Sequence, residues 1–188
     1  EIQFDYIRFP SDGDVKKISY TNFPVNKTRS QILKEFYQYL SIQLNNLEIP
    51  ISIDLFGFTY NQWENNYDLG IGQRLVDALP YFDVICPMVY PSHYPSGHLG
   101  LTNPALHPYQ VVDDALKQGK NIIQNYASST NQDITVKTRP WLQDFDIGAN
   151  YQAPLIRAQI KAVDNNHASG WVLWNALNQY TEDALLNK

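Results

Sequence analysis

Five stretches of the chain carry the alternating or continuous apolar pattern of β-strands. They are EIQFDYIRF at 1–9, PISIDLFGF at 50–58, FDVICPMVY at 82–90, TVKTRPWLQDF at 135–145 and SGWVLWNAL at 169–177. Between them the apolar spacing changes to that of helices. In TRSQILKEFYQYLSIQLNNL (28–47), Leu33, Phe36, Tyr37, Leu40, Leu44 and Leu47 recur at helical intervals, and Thr28 with Gln31 reads as a capping box. IGQRLVDALPYF (71–82) predicts a shorter helix, and HPYQVVDDALKQGKNIIQNY (107–126) a helix or a broken helix. APLIRAQIKAVDNN (153–166) places Pro154 near a helix start with Ile156, Ile160 and Val163 on one face. The tail YTEDALLNK reads as one more helix.

Strands alternating with helices imply a parallel sheet of βα units. An open sheet covered by helices on both faces needs strands that are apolar throughout, and these are not. Side chains alternate across a strand, so Gln3 and Asp5 share one face of the first segment, opposite Ile2, Phe4 and Tyr6. Ser52 and Asp54 oppose Ile51, Ile53 and Leu55 in the second. Arg139, Trp141 and Gln143 share a face in the fourth, as do Trp171, Leu173 and Asn175 in the last. One apolar face and one face that turns polar toward the C-terminal strand ends predict an α/β barrel with a polar mouth. No glycine-rich fingerprint follows any strand, which removes the main support for a dinucleotide-binding fold.

Composition narrows the partners. A chain of 188 residues that is 44% hydrophobic suits one domain with one sizeable core, and the whole of 1–188 reads as a single unit. A net charge of −5 with no basic run argues against nucleic acid and against an anionic membrane surface. No apolar stretch approaches the length of a membrane span. Cys86 is the one cysteine, so neither an intrachain disulfide nor a cysteine-rich zinc site is available. Aromatic residues, 13 Tyr, 8 Phe and 4 Trp, suit either an aromatic core or the stacking of flat sugar faces. The chain begins without Met and inside a strand pattern, so it reads as part of something longer.

Asp5 and Asp54 are the leading candidates for chemistry. Both are expected near the C-terminal ends of consecutive parallel strands, on inward faces, where barrels build active sites. The alternative is a buried carboxylate satisfied by Arg8 or by backbone donors.

The blocks EIQFDYIRFP, DLFGFT, ICPMVYPSHY, RPWLQDF and GWVLWNALNQY, in this order and almost end to end, resemble the bacterial putative glycoside hydrolase domain family, related to TIM-barrel glycosidases of the α-amylase and α-galactosidase type. The resemblance implies a (β/α)8 barrel and hydrolysis of a poly- or oligosaccharide, with no cofactor. It implies Asp5 as the nucleophile at the end of the fourth barrel strand, and Asp54 on the fifth strand as the acid/base. Asp144 is expected near the end of the seventh, as a supporting carboxylate or the alternative acid/base. On that alignment the chain holds the last five βα units, and an N-terminal half of the barrel lies outside it. The family's bacterial setting implies an extracellular or cell-envelope glycan.

Glycoside hydrolysis needs two carboxyl groups flanking an oxocarbenium-like transition state. Arg8 is a candidate to hold Asp5 ionised, and Phe56 with Phe58 to desolvate Asp54 and raise its pKa. Spaced as neighbouring strands are, the pair suits a retaining reaction. Tyr6, Arg8, Tyr90, His93, Trp141, Gln143, Trp174 and Asn175 are the residues expected to contact sugar, aromatic faces on C–H surfaces and polar groups on hydroxyls. A non-catalytic carbohydrate-binding barrel explains the same aromatics. A metal-dependent hydrolase built on His93, His98 and His107 lacks an ordered two-His-plus-carboxylate motif, and no metal site is expected.

Overall fold

The computed structural model describes residues 1–61 and 67–185. The five strand-like segments form one parallel sheet: β1 (Ile2–Phe4), β2 (Ile51–Phe56), β3 (Val84–Val89), β4 (Lys137–Thr138) with β5 (Trp141–Gln143), and β6 (Val172–Trp174). β4 and β5 both pair with β3 and come from one sequence segment. The break between them falls at Pro140, which has no N–H to give a ladder. Pairing continues across it, with Arg139 N–H donating to Ile85 O at 2.9 Å and Val172 N–H to Pro140 O at 3.0 Å.

The helices are α1 (Arg29–Leu44), α2 (Leu75–Ala78), α3 (Pro108–Thr130) and α4 (Ala153–Asn165). α1 starts with the capping box read from the sequence: Thr28 Oγ1 accepts from Gln31 N–H at 3.2 Å and Gln31 Oε1 from Thr28 N–H at 2.8 Å. Such a cap stabilises a helix by about 1 kcal/mol. α1 ends at Leu44, before Leu47, and a 3₁₀ turn follows over Asn45–Leu47. Phe36 and Leu47, expected on its buried face, are exposed, while Leu33 and Tyr37 are buried. α3 is one continuous helix and tolerates Gly119 in its middle for a packing reason: a Cβ there would lie 2.3 Å from the ring of Tyr60. The expected C-terminal helix is a short 3₁₀ turn over Glu182–Ala184, and residues 186–188 lie outside the described residues.

The convex face of the sheet is apolar and covered by helices. Ile51, Ile53, Leu55 and Ile85 pack with Leu33, Tyr37, Leu75 and Phe82 from the α1 and α2 side. Val89, Leu142 and Leu173 pack with Val111, Val112, Ile156 and Val163 from α3 and α4. Burying an aliphatic side chain of this size contributes roughly 1.5–3 kcal/mol. The last strand corrects the sequence reading. Trp141 pairs with Val172 and Gln143 with Trp174, so Val172 and Trp174 face the concave side, and Leu173 faces the helices with its register partner Leu142. Every residue of VLW is apolar or aromatic, so alternation alone left the face undecided.

The concave face shows the curl. β1 and β4 are three strand spacings apart, about 14 Å in a flat sheet. Yet Glu1 and Arg139 form an ion pair, with Arg139 Nη1 donating to Glu1 Oε2 at 3.0 Å. Two side chains meet across that span because the sheet bends toward them. β1 and β6 each pair with one neighbour among the described residues, so the sheet is an open half-barrel. No described helix is long and apolar enough to cross a membrane.

Candidate active site

Strand register brings the two leading aspartates together. Phe4 on β1 pairs with Ile53 on β2, so Asp5 and Asp54 follow at the same level of the sheet. Both fall on the concave face, opposite the core-facing Phe4, Ile53 and Leu55. One step toward the N-terminal ends, Gln3 stands beside Ser52 on that same face.

Asp54 is 3% exposed and is held by two donors on one oxygen. Gln3 Nε2 donates to Oδ1 at 2.6 Å from β1, and Trp141 Nε1 donates to Oδ1 at 2.8 Å, reaching over β3 from β5. No donor among the described residues reaches Oδ2. Burial pushes the Asp54 carboxyl up to about 6; the hydrogen bonds from Trp141 and Gln3 oppose the shift and the charge of Asp5 adds to it. The desolvation expected here is present, but its aromatic partners differ. Phe58 packs in the outer core against Tyr94, and Trp141 is the ring bonded to Asp54. Tyr90, buried past the end of β3, has its phenol pushed up by burial and then by the charges of Asp54 and Asp5, so it stays protonated and able to donate.

Asp5 is exposed, and its Oδ1 accepts from Tyr6 N–H at 2.6 Å. Tyr6 sits in the left-handed region at φ 62° and is 72% exposed. A non-glycine residue there is uncommon, and the local bond to Asp5 holds the turn that ends β1. Arg8, expected to hold Asp5 ionised, is turned elsewhere. Its guanidinium lies 4.5 Å over the Tyr6 ring and 5.1 Å from the Phe56 ring centre. Its Nη1 donates to Ser11 Oγ at 3.0 Å and Phe9 O at 3.3 Å, and Nη2 faces Asp12 at 3.7 Å.

The remaining candidates divide by what their side chains already do. Asp144, also 3% exposed, has both oxygens engaged by one residue: Oδ2 accepts from Thr181 N–H and Oδ1 from Thr181 Oγ1, each at 2.8 Å. Asn175 donates to Asp144 O and accepts from Leu177 N–H, closing the same turn. Gln143 is fully buried and clamps two loops, accepting from Ser92 N–H at 3.1 Å and donating to Phe145 O at 2.9 Å. The clamp sets His93 edge-on against Tyr90, with ring centres 5.2 Å apart, and beside Phe145. Trp174, 43% exposed, stands edge-on to Trp141 at 6.0 Å. Tyr6, Tyr90, His93, Trp141 and Trp174 thus stand around the end of the sheet where Asp5 and Asp54 lie.

His98 packs against Tyr94 rather than His93, and no three His, Cys, Asp or Glu among the described residues group as metal ligands would. A cleft of about 1090 Å3 opens at the opposite end of the strands, lined by Ile51, Asp83, Val84 and Lys137 among others, away from both aspartates. Gln3 is the residue that sequence reasoning passed over. Its position on the face of Asp5 was legible, but the reach to Asp54 depends on the curl.

Comparison with known proteins bears on the family and the fold. No curated protein matches the chain. Among solved structures the chain is similar to the glycoside hydrolase domain of PgaB (BpsB) from Bordetella bronchiseptica, with a TM-score of 0.50 and 15% identity over 78% of this chain. It spans 37% of the length of that solved chain, and a likeness at this identity speaks to the fold: an α/β half-barrel of parallel strands. Residues 1–180 match the family model of the putative glycosyl hydrolase domain, and the chain belongs to that family.

Proposed function

We propose that this chain carries the catalytic carboxylates of a retaining glycosidase, with Asp5 as nucleophile and Asp54 as acid/base. The observation that carries the reading is Asp54 itself, a buried carboxyl raised to about 6 with a second carboxylate beside it on the neighbouring strand. A general acid needs a proton to give near neutral pH, and a nucleophile needs to be ionised. The buried Asp54 meets the first need, and Asp5, exposed beside it, is the carboxyl group positioned to attack.

In the first step Asp5 attacks the anomeric carbon and the bond to the leaving oxygen breaks. That oxygen keeps the electron pair and takes the proton of Asp54. In the second, Asp54 as carboxylate takes a proton from water, whose oxygen attacks the same carbon and releases Asp5. Neighbouring strands lie about 4.8 Å apart, close to the ~5–5.5 Å of a retaining pair and short of the ~6.5–9.5 Å that admits an inverting water. Tyr90 donates to the sugar or to Asp5, and the rings of Tyr6, Trp141 and Trp174 offer faces to pyranose C–H surfaces of a poly- or oligosaccharide. The open edges of β1 and β6 favour completion of the barrel by further βα units of the same protein.

The test uses the full-length protein. Asp5→Ala is expected to abolish hydrolysis and to regain turnover with azide, a small nucleophile that fits the vacated space. NMR of the first-formed product on an active glycan is expected to show the anomer of the substrate. An inverted product overturns the pairing of Asp5 with Asp54. Glycan binding without hydrolysis, in wild type and variant alike, points instead to a carbohydrate-binding barrel.

A further inference from the structure

Among the groups on the concave face, the donors to Asp54 are the ones whose arrangement has a chemical consequence beyond packing. Gln3 and Trp141 come from strands on opposite sides of β2, and both place an N–H on the same oxygen, at 2.6 and 2.8 Å. A carboxyl oxygen that accepts two N–H donors is the poorer site for a proton, so the neutral acid carries its proton on Oδ2. The same donors favour the ionised form, and they act against a burial that would otherwise drive the carboxyl higher.

We propose that Gln3 and Trp141 are positioning residues that fix the carboxyl plane of Asp54, confine its acidic proton to Oδ2 and hold that proton labile. This rests on the reading of Asp54 as acid/base and adds two residues that act through it. Trp141 therefore serves the chemistry through its indole N–H as well as any sugar through its ring. The other titratable groups facing Asp54 come from each neighbouring element: Asp5 after β1, Cys86 on β3, Tyr90 after β3, and Arg139 between β4 and β5. Arg139 is engaged by Glu1 and reaches Cys86 Sγ at 3.8 Å, so it is a standing positive charge beneath the site rather than a hydrogen-bonding partner of Asp54.

The experiment is a carboxyl 13C NMR titration of the full-length protein labelled at Asp side chains. The Asp54 signal is identified as the one lost in Asp54→Asn. Trp141→Phe keeps a ring and removes the N–H; Gln3→Met keeps the length and removes the amide. Each is expected to raise the Asp54 midpoint by on the order of one pH unit, the scale of a hydrogen bond to a charged group. The double variant is expected to raise it further, and the alkaline limb of kcat/KM, where the general acid loses its proton, to move up with it. A merely structural role leaves the midpoint in place while lowering the melting temperature. Unmoved midpoints in folded variants overturn the proposal, and if Trp141→Phe fails to fold, Gln3→Met decides alone. The catalytic reading is judged separately by hydrolysis in Asp54→Asn: activity there removes the acid/base role whatever the midpoints do.

Discussion

Asp54 and Asp144 invite comparison, because burial makes them look alike. Each is 3% exposed, each stands toward the C-terminal side of a strand, and each accepts two hydrogen bonds on its carboxylate. The difference lies in how the donors are distributed. Around Asp54 they come from two strands and crowd one oxygen, leaving the other without a protein donor among the described residues. Around Asp144 they come from one residue, Thr181, and take both oxygens. The first arrangement keeps a proton site; the second closes a loop. Burial is therefore a poor guide to chemistry until the oxygens are counted one by one.

The largest expected effect separates the two by activity. Asp54→Asn in the full-length protein should lower hydrolysis by roughly 10²–10⁴-fold, the usual worth of a general acid–base, with little loss of melting temperature. The neutral amide still offers an oxygen to Gln3 and Trp141. Asp144→Asn should do the reverse. It turns one accepting oxygen into an N–H₂, which the Thr181 hydroxyl must rotate to accept, costs about 1 kcal/mol, and leaves the turnover of the folded fraction near that of wild type. Steady-state rates beside melting curves check both. A catalytic collapse in Asp144→Asn at full stability would break the contrast and move the acid/base to β5.

A smaller effect appears in the pH dependence of stability. The folded pKa of Asp54 is raised from 3.8 to about 6, so between those values the folded state binds more protons than the unfolded one. Stability contributed by this group is accordingly present at low pH and lost as pH rises through that window. Glu1 works in the other direction: its hydrogen bond with Arg139 lowers its pKa from 4.5, so its contribution is present above that value and lost as pH falls below it. Denaturant unfolding of wild type and Asp54→Asn at several pH values should show the downward slope between pH 4 and 6 in the first and its absence in the second. An identical slope in both assigns it to another group.

The shared face of Asp5 and Asp54 was legible in the sequence, whereas the difference between Asp54 and Asp144 was not. The polar-x-Asp pattern at Gln3–Asp5 and Ser52–Asp54 put both aspartates on one face, because strand alternation is local. The capping box at Thr28 and Gln31 was readable for the same reason. What alternation cannot report is distance between strands that are not neighbours. Trp141 reaches Asp54 across β3, and Glu1 meets Arg139 across three spacings, only because the sheet curls. Nor does a pattern tell whether a polar side chain is free. Gln143 and Asn175 sit at strand ends as expected, yet their amides are bonded to the loops beside them. Phe36 reads as core by spacing but faces solvent, as the helical stripe on α1 is narrower than its apolar content.

The smallest expected effect tests the loop-closing half of the comparison. Thr181→Val is nearly isosteric and removes one hydroxyl. The backbone N–H of residue 181 still donates to Asp144 Oδ2, while Oδ1 loses its donor in a site that water scarcely reaches. A buried acceptor left unmet costs about 1–3 kcal/mol, and in a chain of this size each kcal/mol lowers the melting temperature by roughly 2–4 °C. Thr181→Ser, which keeps the hydroxyl, should stay close to wild type and shows that the loss belongs to the hydrogen bond rather than to packing. Because Asn175 and Leu177 are tied into the same turn, amide hydrogen exchange should quicken from 175 to 185 in Thr181→Val and stay slow in the buried β2 and β3. Hydrolysis per folded molecule should be unchanged in both variants, since Asp144 through Thr181 holds a loop and Asp54 holds the proton. A drop in that quantity for Thr181→Val alone, at matched folded fraction, would show that the turn's position feeds the site and that the two carboxylates are less separate than their hydrogen bonds make them.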